Sequence, residues 1–239
     1  MGSIDTTRKI LITGATGNIG VEVIKSLQRF VNQLDIVAGV RDIEKDRQKL
    51  SGYKVGFKPF DFENPVTYLT ALRQCDTLFL LRPPQLSDVG KYFKPLIDTA
   101  REVGVKHIIF LSVQGVEKST IIPHHKIEKL IVESGIPYTF LRPAYFMQNF
   151  TTTLHADLAH KKRIFLPAGT AKFTLIDVRD VGEIAAKIIA NPFKYANKTY
   201  ALTSNEALTF AEMAEKLSRG LGVNITYESP NLWRFFWQK

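Results

Sequence analysis

The chain has 239 residues, 45% of them hydrophobic, and its one cysteine, Cys75, excludes both an internal disulfide framework and a cysteine-based zinc site. No apolar run approaches the roughly 18 residues of a membrane-spanning helix, and the opening MGSIDTTRK lacks the apolar segment of a signal peptide, so we expect a soluble cytoplasmic protein without a metal site. The formal net charge of +9 comes from Lys and Arg scattered along the chain, which argues against a nucleic-acid-binding arm and suits an enzyme with a phosphate-bearing ligand.

Over the first 143 residues, short apolar runs of strand length alternate with stretches of helical periodicity. Strands are predicted near residues 10–13, 35–40, 54–58, 77–81, 107–111 and 138–141. Helices are predicted after the first strand and, among others, over residues 86–102 and 123–134. Because every crossover must return the chain to the same strand direction, six such strands predict an α/β fold with a doubly wound, mostly parallel sheet.

After Pro143 the alternation becomes less regular. The sequence predicts, in order, a helix over 146–158, a strand over 173–176, a helix over 181–189 with Asp180 as N-cap, a strand over 198–202 and a helix over 209–221. The TFAE opening of the last helix fits a capping box. We therefore expect a nucleotide-binding core over residues 1–150 and a small C-terminal lobe over residues 151–239 that packs on it.

The first predicted strand leads directly into GATGNIG, in which Gly14, Gly17 and Gly20 precede a helix. Gly14 permits a tight turn, Gly17 lets the backbone approach a pyrophosphate, and Gly20 allows the helix to pack closely on the strand. The amides at the helix start and the positive end of its dipole would then face the phosphates. The spacing indicates a dinucleotide-binding turn; the alternative is a purely structural turn.

The second predicted strand ends in Val40, Arg41 and Asp42. An arginine at this position can pair with the 2′-phosphate of NADP(H), whereas a carboxylate would bind the ribose hydroxyls of NAD(H). Arg41 comes first and favours NADP(H), and Lys45 could add a second positive charge to the phosphate site. Asp42 keeps NAD(H) open as an alternative, and a solvated charged loop is a third.

Six features occur in a fixed order along the chain: ITGATGNIG, Arg41, DFENP, FLSVQG, SGIPYTFLRPAYFMQN and FTLIDVRDVGEIAAKII. Together they resemble the NmrA-like, atypical short-chain dehydrogenase/reductase group. That group includes quinone oxidoreductases of type 2 and redox-sensing transcriptional regulators. The resemblance covers nearly the whole chain, and it implies a Rossmann-type sheet with NADP(H) lying across the strand ends.

The resemblance also implies contacts for individual residues at matched positions. The pyrophosphate would be surrounded by Gly14, Thr16, Gly17, Asn18, Ile19 and Gly20, and the adenosine phosphate would meet Arg41. Asp61 and Phe62 would meet the adenine, and Leu81, Arg82 and Pro83 would lie along the ribose and nicotinamide. Pro143, Ala144 and Tyr145 would approach the nicotinamide from the substrate side. Phe62 and Leu81 could also be plain core residues, and Pro143 an ordinary strand-terminating proline.

The sequence departs from the wider superfamily at the proton relay. Reductases of that superfamily carry Tyr-x-x-x-Lys at the start of the helix after FLS, where the lysine lowers the pKa of the tyrosine. Counting back from Glu128, which matches the glutamate four residues after that lysine, the two places hold Thr120 and His124. Ser112 remains at the serine position. His124, because histidine ordinarily titrates near neutral pH, and Tyr145 are the candidate proton donors.

Two functions follow from this pattern. The first is an NADP(H)-dependent oxidoreductase that transfers hydride to a quinone or a conjugated carbonyl compound, whose reduced form needs a proton less urgently than an alkoxide. Its substrate pocket would be shaped by Gln114, Tyr145, Phe146 and Asn149. The second is a non-catalytic redox sensor that binds NADP(H) and acts through a protein partner. No nucleic acid and no membrane are expected as partners.

The chain ends in NLWRFFWQK, where relatives of this family usually continue into further helix. We therefore expect the C-terminal lobe to be incomplete. Four aromatic residues left in water would form an adhesive patch, so we expect Trp233, Phe235, Phe236 and Trp237 to pack on the body of the protein or on a neighbouring chain.

Overall fold

The computed structural model describes residues 7–237, so most of the opening stretch MGSIDTTRK lies outside the described residues, as do the last two residues of the aromatic tail. Two compact units make up the chain. The first contains the described residues up to Pro143 together with Val178–Leu202, and the second contains Ala144–Asp177 and the residues from Thr203 onward. The domain boundary that the sequence predicts at residue 150 stays a prediction.

A seven-stranded sheet forms the centre of the first unit, and all of its strand pairings are parallel. Numbered along the whole chain, its strands are β1 (Arg8–Ile12), β2 (Leu34–Val40), β3 (Gly56–Pro59), β4 (Thr77–Leu81), β5 (His107–Leu111), β6 (Tyr138–Pro143) and β10 (Lys198–Leu202). Their order across the sheet is β10-β6-β5-β4-β1-β2-β3. The predicted α/β fold with a parallel, doubly wound sheet is confirmed, and the order reverses between β1 and β4, where such sheets bind their ligands.

Successive residues of a strand point to opposite faces of the sheet, and both faces of this sheet are apolar. Helices therefore cover both faces. The helices of the unit are α1 (Asn18–Leu27), α2 (Ile43–Lys49), α3 (Val66–Leu72), α4 (Val89–Glu102), α5 (Pro123–Ser134), α7 (Val178–Ala190) and α8 (Pro192–Tyr195). Leu11 of β1 lies in a core with Phe93 of α4 and Ile127 of α5. No helix within residues 7–237 combines the length and the apolar character that crossing a bilayer requires.

Helices α1 and α7 pack against each other at a glycine. A Cβ atom on Gly182 would lie 2.7 Å from the backbone carbonyl of Glu22, so only a residue without a side chain fits this crossing. Helix α7 begins at Val178, three residues earlier than predicted. Asp180 is therefore a residue of the first helical turn and not the N-cap that the sequence suggested, although a carboxylate there still complements the helix dipole.

The second unit contains two small sheets and three helices. Its elements are β7 (Tyr145–Phe146), α6 (His155–Lys161), β8 (Arg163–Phe165), β9 (Phe173–Ile176), β11 (Ala207–Leu208), α9 (Phe210–Leu221), β12 (Thr226–Glu228) and α10 (Leu232–Trp237). The predicted strand over 173–176 is confirmed. So is the capping box of α9, where Thr209 and Glu212 exchange hydrogen bonds.

The helix predicted over residues 146–158 is wrong in its first half. Residues 145 and 146 pair with β9 as a strand, a 3₁₀ turn follows over Met147–Phe150, and the α-helix begins only at His155. Pairing with β9 outweighs the weak helical periodicity of this stretch, because a short apolar run is compatible with either element. Three successive threonines at 151–153, which are poor helix formers, separate the two parts.

The aromatic tail forms α10, and its four aromatic side chains behave differently. Phe235 stacks on Phe165 with ring centroids 6.0 Å apart. Trp233, Phe236 and Trp237 are 80%, 74% and 85% exposed. Packing on the body is therefore confirmed for Phe235 and not for the other three, because a six-residue helix can turn only one face inward, and their packing on a neighbouring chain stays a prediction.

Candidate active site

The turn after β1 is built by one buried threonine and three glycines. The Thr13 hydroxyl donates to the Phe79 carbonyl at 3.2 Å and accepts from the Leu81 amide at 2.8 Å, which ties the end of β1 to the end of β4. Sequence reasoning overlooked Thr13, although a polar residue directly after a buried strand was a visible signal. Gly14 then adopts φ +61°, a left-handed conformation that glycine reaches without strain, and its carbonyl accepts from the Gly17 amide.

Close approach of the backbone explains Gly20. A Cβ atom on Gly20 would lie 2.2 Å from the Gly14 carbonyl oxygen, so the start of α1 can pack here only if this residue has no side chain. Gly17 is the N-cap of α1, which has neither a side-chain cap nor an acidic residue in its first turn. By contrast, Asp42 and Asp88 cap the starts of α2 and α4. The first amides of α1 are thus open to an anion.

The end of β2 carries positive charge towards the same side. Arg41 and Lys45 are exposed, and within residues 7–237 neither takes part in an ion pair closer than 4.0 Å. The Asp42 carboxylate accepts a hydrogen bond from the Lys45 amide at 3.1 Å, because it is the N-cap of α2. The predicted solvated loop is therefore a capped helix, and the backbone engages one oxygen of the carboxylate that kept NAD(H) open, although Asp42 also lines the cleft described next.

Between these two strand ends and β4 lies a cleft of about 570 Å³. Eight of the predicted cofactor residues line it: Gly14, Thr16, Arg41, Lys45, Asp61, Phe62, Leu81 and Pro83. Further lining residues that the sequence did not single out include Asp46, Lys49, Glu63, Pro84, Gln85 and Leu86. Asn18 and Ile19 belong to the first turn of α1 and, like Gly17 and Gly20, do not line the cleft itself.

The adenine-side residues lie on a small aromatic cluster. The ring of Phe62 meets that of Phe60 edge-on at 4.8 Å, and the Tyr68 hydroxyl donates to the Phe62 carbonyl at 2.6 Å. One oxygen of the Asp61 carboxylate accepts from the Glu63 amide at 3.0 Å. Phe62 is therefore both a core residue and part of the cleft wall, and its contact with the adenine stays a prediction.

At the end of β5, Ser112 is buried and its hydroxyl has no hydrogen-bond partner within residues 7–237. Its amide donates to the Leu141 carbonyl at 2.8 Å, which fixes the backbone and leaves only the side chain unsatisfied. Two residues later, the Gln114 amide donates to the Pro143 carbonyl at 3.0 Å, so these two predicted residues are neighbours. A buried hydroxyl without a partner indicates a position that a ligand completes.

The proton-relay positions differ from the expectation. Thr120 is exposed, whereas His124, at the start of α5, is half-buried beside Phe110. Burial, followed by the positive charge of Arg82, lowers the pKa of His124 to about 4, and Glu128 offsets this only in part. The expectation that His124 titrates near neutral pH is therefore wrong, because its imidazole is neutral at pH 7. Glu128 itself forms a two-point ion pair with Arg142, with distances of 3.0 and 2.7 Å.

Of the remaining predicted residues, Arg82 directly follows β4 in the first unit, whereas Tyr145, Phe146 and Asn149 belong to the second unit and are described within it. Tyr145 lies in an aromatic cluster with Phe150, Phe173 and Phe210, whose ring centroids are 5.5 to 6.3 Å from its own. Its side chain hydrogen-bonds Asn149, but burial raises the pKa of the phenol above its ordinary value. Phe146, half-buried, follows it in β7. A phenol with a raised pKa is a poor proton donor at neutral pH.

Metal chemistry has no ligand cluster to use in the part of the chain that the structure describes, since no three His, Cys, Asp or Glu side chains gather there in a suitable arrangement. Cys75 is buried, and burial raises the pKa of its thiol. The site is accordingly a glycine turn, a cationic strand end, a cleft and a buried serine.

Comparison with characterised proteins matches these features over nearly the whole chain. The prestalk A differentiation protein A of Dictyostelium discoideum is 31% identical over 223 residues, which cover 93% of this chain and 73% of that protein. The NAD(P)H azoreductase of Xenophilus azovorans is 32% identical over 227 residues, which cover 93% of this chain and 77% of that protein.

Solved structures agree in fold and carry a ligand. The triphenylmethane reductase of Citrobacter sp. complexed with NADP(H) superposes with a TM-score of 0.80 at 28% identity, covering 93% of this chain and 79% of that one. The NADPH-dependent quinone oxidoreductase of Escherichia coli complexed with NADPH gives a TM-score of 0.82 at 28% identity, covering 93% and 78%. The NmrA-like family description matches residues 6–233. The chain belongs to the NmrA-like family.

Proposed function

We propose that this protein is an NADP(H)-dependent oxidoreductase that transfers hydride to a quinone or another conjugated carbonyl compound. The observation that carries the proposal is the cleft at the strand ends, where the glycine turn meets the cationic end of β2. Family membership supports it, because relatives include an NAD(P)H azoreductase and structural neighbours include reductases complexed with NADP(H) or NADPH.

The residues present fit a dinucleotide phosphate. The glycine turn has no side chains where its backbone would come closest to a ligand. The first amides of α1 are uncapped, so they can donate hydrogen bonds to an anion. The unpartnered Ser112 hydroxyl gives a further polar group for a ligand on the β5 side. When bound, the nicotinamide of the cofactor supplies the hydride.

Charge at the end of β2 favours NADP(H) over NAD(H). Arg41 and Lys45 are exposed cations at the cleft, and a guanidinium can make charge-assisted hydrogen bonds to a 2′-phosphate. Asp42, which would otherwise suit ribose hydroxyls, is engaged as the cap of α2. Both observations support the same cofactor preference.

The acid–base groups favour an acceptor that tolerates slow protonation. His124 is neutral at pH 7, and the pKa of Tyr145 is raised, so neither is a ready acid. Hydride transfer to a simple ketone leaves an alkoxide that needs a proton at once, whereas a quinone leaves a much weaker base. The Ser112 hydroxyl can donate a hydrogen bond to a developing oxyanion without giving up its proton. Gln114, Tyr145, Phe146 and Asn149 stay our candidates for substrate contacts.

The nucleotide cleft also favours a second candidate function, a sensor that binds NADP(H) without turnover and acts through a protein partner. Such a sensor requires only the cleft, and it needs no group that donates a proton at neutral pH. The two functions differ in one measurable property, which is the oxidation of NADPH.

The deciding experiment measures NADPH binding by calorimetry and NADPH oxidation with a panel of quinones, an azo dye and a triphenylmethane dye. Steady turnover of a quinone, absent without protein, is the expected result. Tight binding without turnover across the panel would overturn the enzyme in favour of the sensor. If NADPH does not bind, both the enzyme and the sensor are ruled out.

A further inference from the structure

Among the described residues, the loop that follows β4 has one backbone hydrogen bond of its own, from the Leu86 amide to the Pro83 carbonyl at 3.1 Å. It begins with Pro83 and Pro84, which have no N–H groups to donate. Its carbonyls nevertheless need donors. One nitrogen of the Arg82 guanidinium, Nη1, supplies them, lying 3.0 Å from the Pro83 oxygen, 2.9 Å from the Pro84 oxygen and 2.9 Å from the Leu86 oxygen.

A neutral imidazole contacts the other side of the same guanidinium. Nε of Arg82 lies 3.5 Å from Nε2 of His124, a distance at the outer limit of a hydrogen bond. Nε2 can accept there only while it carries no proton. Arg82 is half-buried, burial lowers its pKa, and the described residues provide no carboxylate within ion-pair distance of it. All of its acceptors are therefore neutral groups, and their positions, not an opposite charge, hold the guanidinium in place.

This arrangement separates Arg82 from the residues around it. Leu81, Pro83, Pro84, Gln85 and Leu86 all line the nucleotide cleft, whereas Arg82 does not. Its guanidinium faces the inside of the loop whose outer side forms the wall. A charged side chain at the edge of an anion-binding cleft that points away from it acts on the wall, not on the ligand.

We infer that Arg82 is a positioning residue, which holds the 83–86 loop as one wall of the nucleotide cleft while the unprotonated His124 ring orients its guanidinium. The inference rests on the proposed function for its effect on nucleotide binding. Its structural part, the shape of the loop, stands on this chain's own contacts. Arg41 and Arg82 therefore have different roles, since the first offers charge to a phosphate and the second offers shape to any nucleotide.

The test compares Arg82→Ala with the wild type for both reduced nucleotides. Because the wall does not distinguish the 2′-phosphate, we expect the Kd of NADPH and that of NADH to rise by the same factor, about tenfold or more. Arg82→Lys keeps the charge and the stem but not the planar fork, so it should also weaken both nucleotides in parallel. Arg101→Ala, an exposed arginine of α4, is the matched control and should change neither Kd.

Two further readouts need no nucleotide. The Leu86 amide donates to the Pro83 carbonyl at 3.1 Å, and its hydrogen exchange should accelerate in Arg82→Ala while amides of β4 keep their protection. The ring of His124 faces Arg82, Glu128 and the aromatic ring of Phe110. Loss of the arginine charge should therefore raise the midpoint of its NMR titration.

The outcomes are separable. If the wild type binds neither nucleotide, the proposed function fails, and exchange at Leu86 with the His124 titration still decides the role of Arg82. If nucleotides bind but Arg82→Lys matches the wild type in affinity and exchange, the fork is not needed and the inference is wrong. A loss confined to NADPH would also overturn it, because that pattern belongs to a phosphate contact. Should Arg82→Ala fail to fold, Arg82→Lys carries the affinity and exchange measurements; because it keeps the charge, no shift of the His124 titration is expected in it.

Discussion

The two ends of the candidate site are built from different materials. At the ends of β1 and β2, three glycines, an uncapped helix start and two cations that have no ion pair in the described part of the chain leave a defined place for a phosphate-bearing ligand. At the end of β5 and the start of α5, a hydroxyl without a partner among the described residues and a neutral histidine take the place of a proton relay. The first end is specified by backbone sterics and charge, and the second by side-chain environment.

This difference shows how a nucleotide fold can keep its binding end while its reactive end changes. Where two backbone segments lie this close together, almost no side chain is tolerated, because an added methyl group would meet backbone atoms that cannot move aside. A proton donor can be removed without unfolding the chain, since Thr120 is exposed and His124 is held by packing. Each prediction below perturbs one end and asks whether the other responds.

The largest effect should come from Gly20→Ala. The new Cβ atom would lie 2.2 Å from the Gly14 carbonyl oxygen and 2.7 Å from the Ala15 Cα, and both are backbone atoms. We expect a loss of about 3 kcal/mol or more in the free energy of unfolding, together with loss of NADPH binding. Urea unfolding and calorimetry measure the two quantities.

Gly90→Ala is the matched control for this change. Its Cβ atom would have Asp88 Oδ1 as its nearest neighbour, at an ordinary 3.6 Å, and the residue lies in the first turn of α4. The substitution should leave stability unchanged or raise it by up to about 1 kcal/mol. Equal effects of the two substitutions would show that the turn is not sterically closed.

The next effect is a pH dependence at the reactive end. The folded-state pKa of His124, about 4, lies below its ordinary value of 6.5, so between these values the unfolded chain binds the extra proton. This contribution to stability is therefore complete above pH 6.5 and is lost as the pH falls to about 4, by roughly 2 to 3 kcal/mol. His124→Gln keeps an acceptor for Arg82 but cannot titrate, and should lose less stability over this window in urea unfolding at each pH.

His107, the buried first residue of β5, has the same lowered pKa of about 4 through burial and hydrogen-bonds the Thr139 hydroxyl at 2.9 Å. It contributes to the same window in both proteins. The difference between wild type and His124→Gln therefore isolates His124. Identical pH profiles for the two would mean that the folded protein does not hold this ring neutral.

Most of the fold was predictable because its signals are local. The strands of the parallel sheet are short apolar runs, and the capping box of α9 is a four-residue pattern. The weak points were places where distant pairing decides the outcome. Tyr145 and Phe146 form a strand only because β9, some thirty residues later, pairs with them.

The candidate site divides along the same line. The glycine turn and Arg41 are legible because steric need and charge are properties of the residue itself. The pKa of His124 and the inward direction of Arg82 are not, since each depends on burial and on a partner 42 positions away. Pattern reasoning identified both residues, but it expected a near-neutral pKa for His124 that burial lowers, and the place it gave Arg82 along the ribose and nicotinamide stays a prediction.

A smaller and selective effect should follow from Arg41→Ala at the binding end. We expect it to cost NADPH about 2 kcal/mol in binding, near thirtyfold in Kd, and to change NADH little, because NADH has no 2′-phosphate. Arg47→Ala is the control, since this arginine of α2 lies over the Phe57 ring and does not line the cleft. Equal losses for both nucleotides, or tighter binding of NADH by the wild type, would contradict the role given to Arg41.

The smallest expected effect tests the reactive end, and it is a gain, not a loss, in the stability of the protein without nucleotide. Ser112→Ala removes a buried hydroxyl that has no partner within residues 7–237, so the unfolding free energy of the protein without nucleotide should rise by about 1 kcal/mol. Ser134→Ala removes a hydroxyl that donates to Ile131 at 2.6 Å and accepts from Ile136 at 3.2 Å, and should lower it by a similar amount. If Ser112 completes its bonding on a ligand, the same substitution should reduce the stabilisation that NADPH or substrate adds in thermal melts. A variant less stable than the wild type without ligand would show that the hydroxyl already has a structural role, and the case for its place at the reactive end would then fail.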